Sequence, residues 1–284
     1  MSNKVGDIFL ELQVDDKTFQ AKIKKMSGNG AKQLESSFGA SFGKIGKMAA
    51  AAFSVKTITD FVGSCLNLGS DLMKVQNVVD TAFPNMSAQA NDFAKNAMES
   101  FGLSETVAKK YLGTFGAMAS AFGFSEKEAY DMSEALTGLA GDVASFYNLS
   151  SDEAYTKLKS VFTGETESLK DLGVVMTQTS LDQYALANGF GKTTSAMSEQ
   201  EKVALRMAFV TDQLSMASGD FIKTQDSWAN QTRILQLRFE SLKASLGKGF
   251  IAIFTPIIKG INWVLSKLQV LADSFASLME FLTG

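Results

Sequence analysis

The sequence predicts a mainly α fold. It comprises a helical domain, a short N-terminal β-strand, and a long C-terminal amphipathic helix or helix pair suited to bundling with other copies. Three observations predict it. Pro84 and Pro256 are the only prolines in 284 residues, and Ala, Leu, Met and Lys abound, so little interrupts a helix. Large apolar residues recur at steps of three and four through the last fifth of the chain, which places them on one helical stripe. Residues 5–14 instead alternate with a period of two, the signature of a strand.

Taken in order, residues 1–26 hold the strand and a short basic helix. Ile8, Leu10, Leu12 and Val14 alternate with Asp7, Phe9, Glu11 and Gln13, and Asp15-Asp16 ends the pattern. A lone strand leaves its backbone groups unpaired, so it calls for a partner such as the same strand of another copy; a disordered arm is the alternative. Residues 18–26 read as the helix. Residues 27–70 read as a Gly/Ala-rich helical linker, opened by the turn Ser27-Gly28-Asn29-Gly30. Gly39, Gly43 and Gly46 share a face there, a spacing that lets two helices approach closely. Cys65, among Val62, Leu66 and Leu68, reads as a small buried apolar residue.

Residues 71–220 read as a compact helical domain. One helix runs over 71–83 and stops at Pro84. The next opens at Ser87, with Phe93, Ala97 and Phe101 four apart. Ser104 caps a helix carrying Tyr111, Phe115 and Met118. Ser125 followed by Glu128 is a capping box for a helix bearing Met132, Leu136, Leu139, Val143 and Phe146. Ser151 opens a helix through Leu158 and Phe162, and a last one spans about 198–217. The aromatic and methionine stripes on these helices read as core.

Residues 221–284 carry the bundling stripe: Leu235, Phe239, Leu242, Leu246, Phe250, Ile253, Ile257, Ile261, Val264, Leu268, Leu271, Phe275, Leu278 and Leu282. So long a stripe demands a covering surface. Either other copies of the chain or the preceding domain could supply it. Two successive steps of four, from Ile253 to Ile261, surround Pro256 and Gly260 and predict a kink or break there. No segment is expected to span a bilayer, because the most apolar run, 249–258, is half the roughly 20 residues required. The N-terminus does not read as a signal peptide either.

Composition excludes much chemistry. There is no histidine, which removes His-based triads and most zinc and haem sites, and a single cysteine allows neither an intrachain disulfide nor a Cys-rich metal site. Twenty-seven bases against 30 acids give a net charge of -3, so there is no electrostatic case for sequence-specific nucleic-acid binding. Gly189-Phe190-Gly191-Lys192-Thr193 resembles the end of a phosphate-binding loop. However, Leu186 occupies the place of the first glycine, and a polar turn is the expectation. The acid pairs Asp152/Glu153, Glu165/Glu167 and Glu199/Glu201 lie near helix starts, where the helix dipole favours negative charge. No enzyme activity, cofactor or metal is expected.

The stretch 162–174, with Gly164, Leu169, Leu172, Gly173 and Val174 at the matching positions, resembles a signature of the tail tape measure proteins of tailed phages. Gly141-Asp142-Val143-Ala144-Ser145-Phe146 upstream, and Ala229-Asn230-Gln231 through Leu246-Gly247 downstream, are similar to the flanking blocks of that family. The resemblance covers about residues 71–247. It implies a structural protein that scaffolds a tail tube, sets its length and is released on genome delivery. It further implies three or six copies running together in the tail lumen after assembly in the host cytoplasm. The implied partners are the tail tube protein, assembly chaperones, distal tail or baseplate hub proteins and, on delivery, the host membrane. Such tapes are usually longer, so this chain is expected to serve a short tail or tail-like particle, or to be part of a longer tape. Two rival functions remain: a membrane-active, pore-forming helical protein, motivated by the apolar residues 250–271, and a cell-wall-degrading enzyme using the acid pairs.

Overall fold

A computed structural model describes residues 55–283. The predicted strand at 5–14, the basic helix at 18–26 and the glycine face of Gly39, Gly43 and Gly46 lie outside the described residues. The chain divides into two compact units, 1–64 and 65–284, and only 55–64 of the first are described. The protein is mainly helical, and no strand occurs among the described residues.

Helix α1, Val55–Ala82, runs through residue 71, where the sequence pattern suggested a helix start. Pro84 lies just past its end, a place where the missing N–H costs nothing. Helix α2, Ser87–Phe101, closes on Gly102 in the left-handed region, with φ 61°. Helix α3, Glu105–Ala121, is capped by Ser104, whose hydroxyl accepts the Val107 N–H at 3.3 Å. Helix α4, Glu126–Phe146, begins with the predicted Ser125/Glu128 capping box. Helix α5, Ser151–Leu158, starts where expected, and Ser150 is its cap. Two single-turn helices follow, α6 (Ser160–Thr163) and α7 (Glu167–Lys170).

Helix α8, Gln178–Ala187, has no counterpart in the sequence reading, although Thr177 and Ser180 give it a capping box. Helix α9, Glu199–Gln213, opens on the Ser198/Glu201 box and ends four residues before the predicted 217. A short α10, Asp220–Lys223, leads to α11, Trp228–Thr283, which is 56 residues long.

The core forms around the α3–α4 pair, with α2 and α5 against it. Its centre is aromatic: Tyr111 stacks on Tyr155 at 4.1 Å, and Phe83 meets Tyr130 edge-on at 5.5 Å. Phe115 and Phe162 stack at 5.9 Å. Each such ring, fully buried, contributes about 1.5–3 kcal/mol. The stripe residues predicted as core in α2 to α5 line it, except Phe146, which lies exposed at the last turn of α4 and packs edge-on against Tyr147.

The break predicted at Pro256 is absent, because α11 passes through it without interruption. The reason lies in the spacing itself. Two steps of four also separate Leu242, Leu246 and Phe250, so the pattern from Leu242 to Val264 reads 4-4-3, 4-4-3. Eleven residues over three turns is about 3.67 per turn, close to the natural α-helix, and keeps the stripe straight along an unbroken helix. Proline forfeits one backbone bond, and the Thr255 hydroxyl donates to the Ile251 carbonyl at 2.6 Å in the adjoining turn.

Candidate functional site

Two features carry the functional case: the turn around Gly164–Val174 and the two faces of α11. The turn is built by α6 and α7. Gly164 ends α6 with φ 72°, and its N–H donates to the Ser160 carbonyl at 2.7 Å. An L side chain there would sit in the unfavourable left-handed region, and its Cβ would also come within 2.2 Å of Arg206 Nη1. Glu165 then caps the next turn, its carboxylate accepting the N–H groups of Glu167 at 2.6 Å and Ser168 at 3.2 Å. Hydrogen bonding from Ser168, then from the Glu167 backbone, holds this carboxyl below the usual range. Glu165 is thus engaged at the helix start, while the Glu167 carboxylate accepts from Lys170 Nζ at 2.7 Å.

Leu169, Leu172 and Val174 are buried, as their place in the pattern requires, and Gly173 turns the chain at φ 77°. The Tyr147 hydroxyl donates to the Leu172 carbonyl at 2.8 Å, and Lys157 Nζ reaches Asp171 Oδ2 at 2.7 Å. Arg206, on α9, donates from Nη2 to the Phe162 carbonyl at 3.3 Å.

The three stretches singled out in the sequence are joined in space. Asp142, almost fully buried, accepts the N–H groups of Gly219 at 2.7 Å and Phe221 at 3.2 Å, which fixes the start of α10. Burial pushes its carboxyl up, against the pull of those two donors. The Ser145 and Thr224 hydroxyls lie 3.3 Å apart, and Asn230 Nδ2 donates to Thr224 Oγ1 at 2.9 Å. Residues 141–147 therefore contact the 162–174 turn through Tyr147 and the start of α11 through Thr224. Asp142 and Arg206 were missed in the sequence. Only an acid inside an apolar stripe, at 142, hinted at either.

Helix α11 has two different faces. Asn230, Ile234, Ala244 and Gly247 turn inward. Gly247 meets α1 so closely that a Cβ on it would lie 1.8 Å from the Cys65 carbonyl oxygen, while a Cβ on Gly69 would lie 2.6 Å from the Gly247 carbonyl carbon. Cys65 is buried at this crossing, as expected, and burial raises its thiol pKa while Lys243 lowers it. Arg238 reaches across to Glu99 at 3.0 Å on the surface.

The predicted stripe faces outward. Leu235, Phe239, Leu242, Leu246, Ile253, Ile257, Ile261, Val264 and Leu268 are all exposed, with Leu235 at 69% and Ile253 at 63%. Phe250 is half-buried and meets Phe254 with ring centres 6.4 Å apart. The side chains of Leu271, Phe275, Leu278 and Leu282 lie outside the described residues. The helical domain thus does not cover the described stripe residues other than Phe250.

The length argument against a bilayer span is corrected here. Helix α11 is, by length and composition alone, long and apolar enough to cross a membrane. It holds an 18-residue window of mean hydropathy 1.4 with at most two charges, none of it buried. The 249–258 run ends at Lys259, but beyond that one charge the apolar residues resume through Leu265.

The loop at Gly189–Thr193 is a turn after helix α8, with Lys192 Nζ held by Glu201 at 2.7 Å. Asp152/Glu153 and Glu199/Glu201 occupy the first turns of α5 and α9. Among the described residues no group of three or more Cys, Asp or Glu side chains is placed to hold a metal. Compared with protein-family models, curated proteins and solved structures, the chain matches none.

Proposed function

We propose that this chain is a structural tail tape measure protein, which scaffolds a tail tube and sets its length. The observation that carries the reading is the outward apolar stripe of α11. Nine large apolar residues stand in water along one side of a continuous helix. Leaving them exposed forfeits about 1–2 kcal/mol for each that another surface could bury. Copies of the same helix, laid side by side, offer a matching stripe at every level. The resemblance carried by Gly164, Leu169, Leu172, Gly173 and Val174 names the setting, and the burial of those three apolar residues fits a structural role for the turn.

In this mechanism length is the information. At 1.5 Å per residue, α11 spans about 84 Å, and tube subunits polymerise around the bundled copies until the ruler is covered. The partners are other copies, three or six by the family resemblance, the tube subunit, assembly chaperones and the hub at the tail tip. The test is composition and length. Purified tails should contain the chain, and lengthening α11 by four 11-residue repeats should lengthen the tube by about 66 Å. Tails that lack the chain, or whose length ignores the insertion, contradict the reading.

A second reading is favoured by one observation, the exposed apolar window of α11. A membrane-active protein would use it to enter lipid. Leakage of dye-loaded liposomes, abolished when Ile257 and Ile261 become lysine, supports it; inertness towards lipid removes it.

A further inference from the structure

Gly164 and Arg206 belong to the wall of a pocket of about 350 Å³, shared with Thr166, Gln178, Ser195 and Lys202. Its electrostatics are unbalanced. Lys202 and Arg206 are four apart on α9, on one helix face, where like charges repel unless something neutralises them. Glu199 lies on that face as well, but its carboxylate is bound to Lys202 at 2.8 Å. Its pull on Arg206 is weaker than the burial that lowers the guanidinium pKa.

Arg206 is itself poorly served. Its Nη2 donates to the Phe162 carbonyl, and its Nε–H is buried without an acceptor among the described residues. A half-buried guanidinium with a buried, unfilled Nε–H is costly to keep, and its Nη1, beside Gly164 in the pocket wall, can donate to the oxygens of a carboxylate or phosphate. Hydroxyl and amide groups at Thr166, Ser195 and Gln178 supply further neutral donors, as oxyanion sites commonly do.

We propose that this pocket binds an oxyanion, with Arg206 as its charged anchor and Lys202, whose ammonium is shared with Glu199, beside it. Gly164 then has two duties: it turns the chain at positive φ, and it leaves room for the guanidinium. The oxyanion comes either from a free phosphate or from a carboxylate.

The experiment is equilibrium dialysis of the full chain with labelled inorganic phosphate at constant ionic strength, with acetate as competitor. Saturable binding of one phosphate per chain is expected, at about 1 mM or tighter. Arg206→Gln should weaken it by about tenfold or more, Lys202→Gln by about threefold, and Lys74→Gln, on α1, not at all. If acetate at equal concentration leaves binding intact, phosphate is the ligand; if it displaces phosphate fully, the site is for carboxylates. Circular dichroism checks folding, and should Arg206→Gln fail to fold, Lys202→Gln decides. The proposal is overturned if neither anion binds saturably by about 10 mM, or if the folded variants bind as the parent does.

Discussion

At the scale of single residues, the turn and the helix crossing each depend on a pair of glycines, Gly164 with Gly173 and Gly69 with Gly247. Gly164→Ala places a side chain at φ 72° and against Arg206, which should cost about 1–3 kcal/mol in urea unfolding. Gly247→Ala meets a backbone oxygen that cannot swing aside, so α11 must lift from α1. A loss of about 1–3 kcal/mol is expected, with faster alkylation of the buried Cys65 thiol as the local readout. Unchanged alkylation would show that the crossing does not form. Titration gives a further residue-scale prediction. Hydrogen bonds from Lys192, then from the Ser198 N–H and hydroxyl, hold the Glu201 carboxyl down to about 2. A group lowered on folding stabilises the fold above its ordinary pKa and loses that contribution as pH falls through the folded value. Stability should therefore decline from about pH 5 to about 2, and Glu201→Gln should flatten the decline. Asp142 works in the opposite sense: burial raises its pKa, so its contribution weakens as pH rises past the ordinary carboxylate range.

At the scale of elements, legibility followed the locality of the signal. Ser104 and Ser125 announce their helices because a cap and its N–H lie within three residues. The apolar side chains of α2 to α5 were legible as core for the same reason, since helical spacing is local. Asp142 and Arg206 were not, because their partners at Gly219, Phe221 and Phe162 are 44 to 79 residues away. On α11 the large residues drew attention to the outer stripe. The inner face was missed because it packs through Ala244 and Gly247, which carry no hydropathy signal. Pro256 predicts a kink or break, and only the break is absent, because two slips together make an eleven-residue repeat that one unbroken helix keeps on a single stripe. That repeat predicts a nearly straight or slightly right-handed bundle from Leu242 to Val264, turning left-handed where the steps become strictly four and three. Replacing Ile257 and Ile261 with lysine should abolish association while changing the unfolding of the domain by no more than about 0.5 kcal/mol, because both are exposed in the single chain. Gly249 and Gly260 have open space at their Cβ positions, so alanine at either should stabilise the single chain by about 0.5–1 kcal/mol.

At the scale of the molecule, the protein combines a well-filled helical core with a helix whose apolar side that core leaves uncovered. The 162–174 turn is anchored in the core by Phe162, Leu169, Leu172 and Val174 and is tied to α4 through Tyr147, so substitutions at those anchors should act through stability. Substitutions along the outer stripe should act instead on the proposed assembly. The two classes should separate in experiment: core variants fail in urea, stripe variants fail in mass. The most direct measurement is sedimentation equilibrium of the full chain and of its Ile257→Lys, Ile261→Lys variant over a wide concentration range. The account predicts a discrete oligomer for the parent and a folded monomer for the variant; a parent that stays monomeric throughout, with the stripe still exposed, would contradict it.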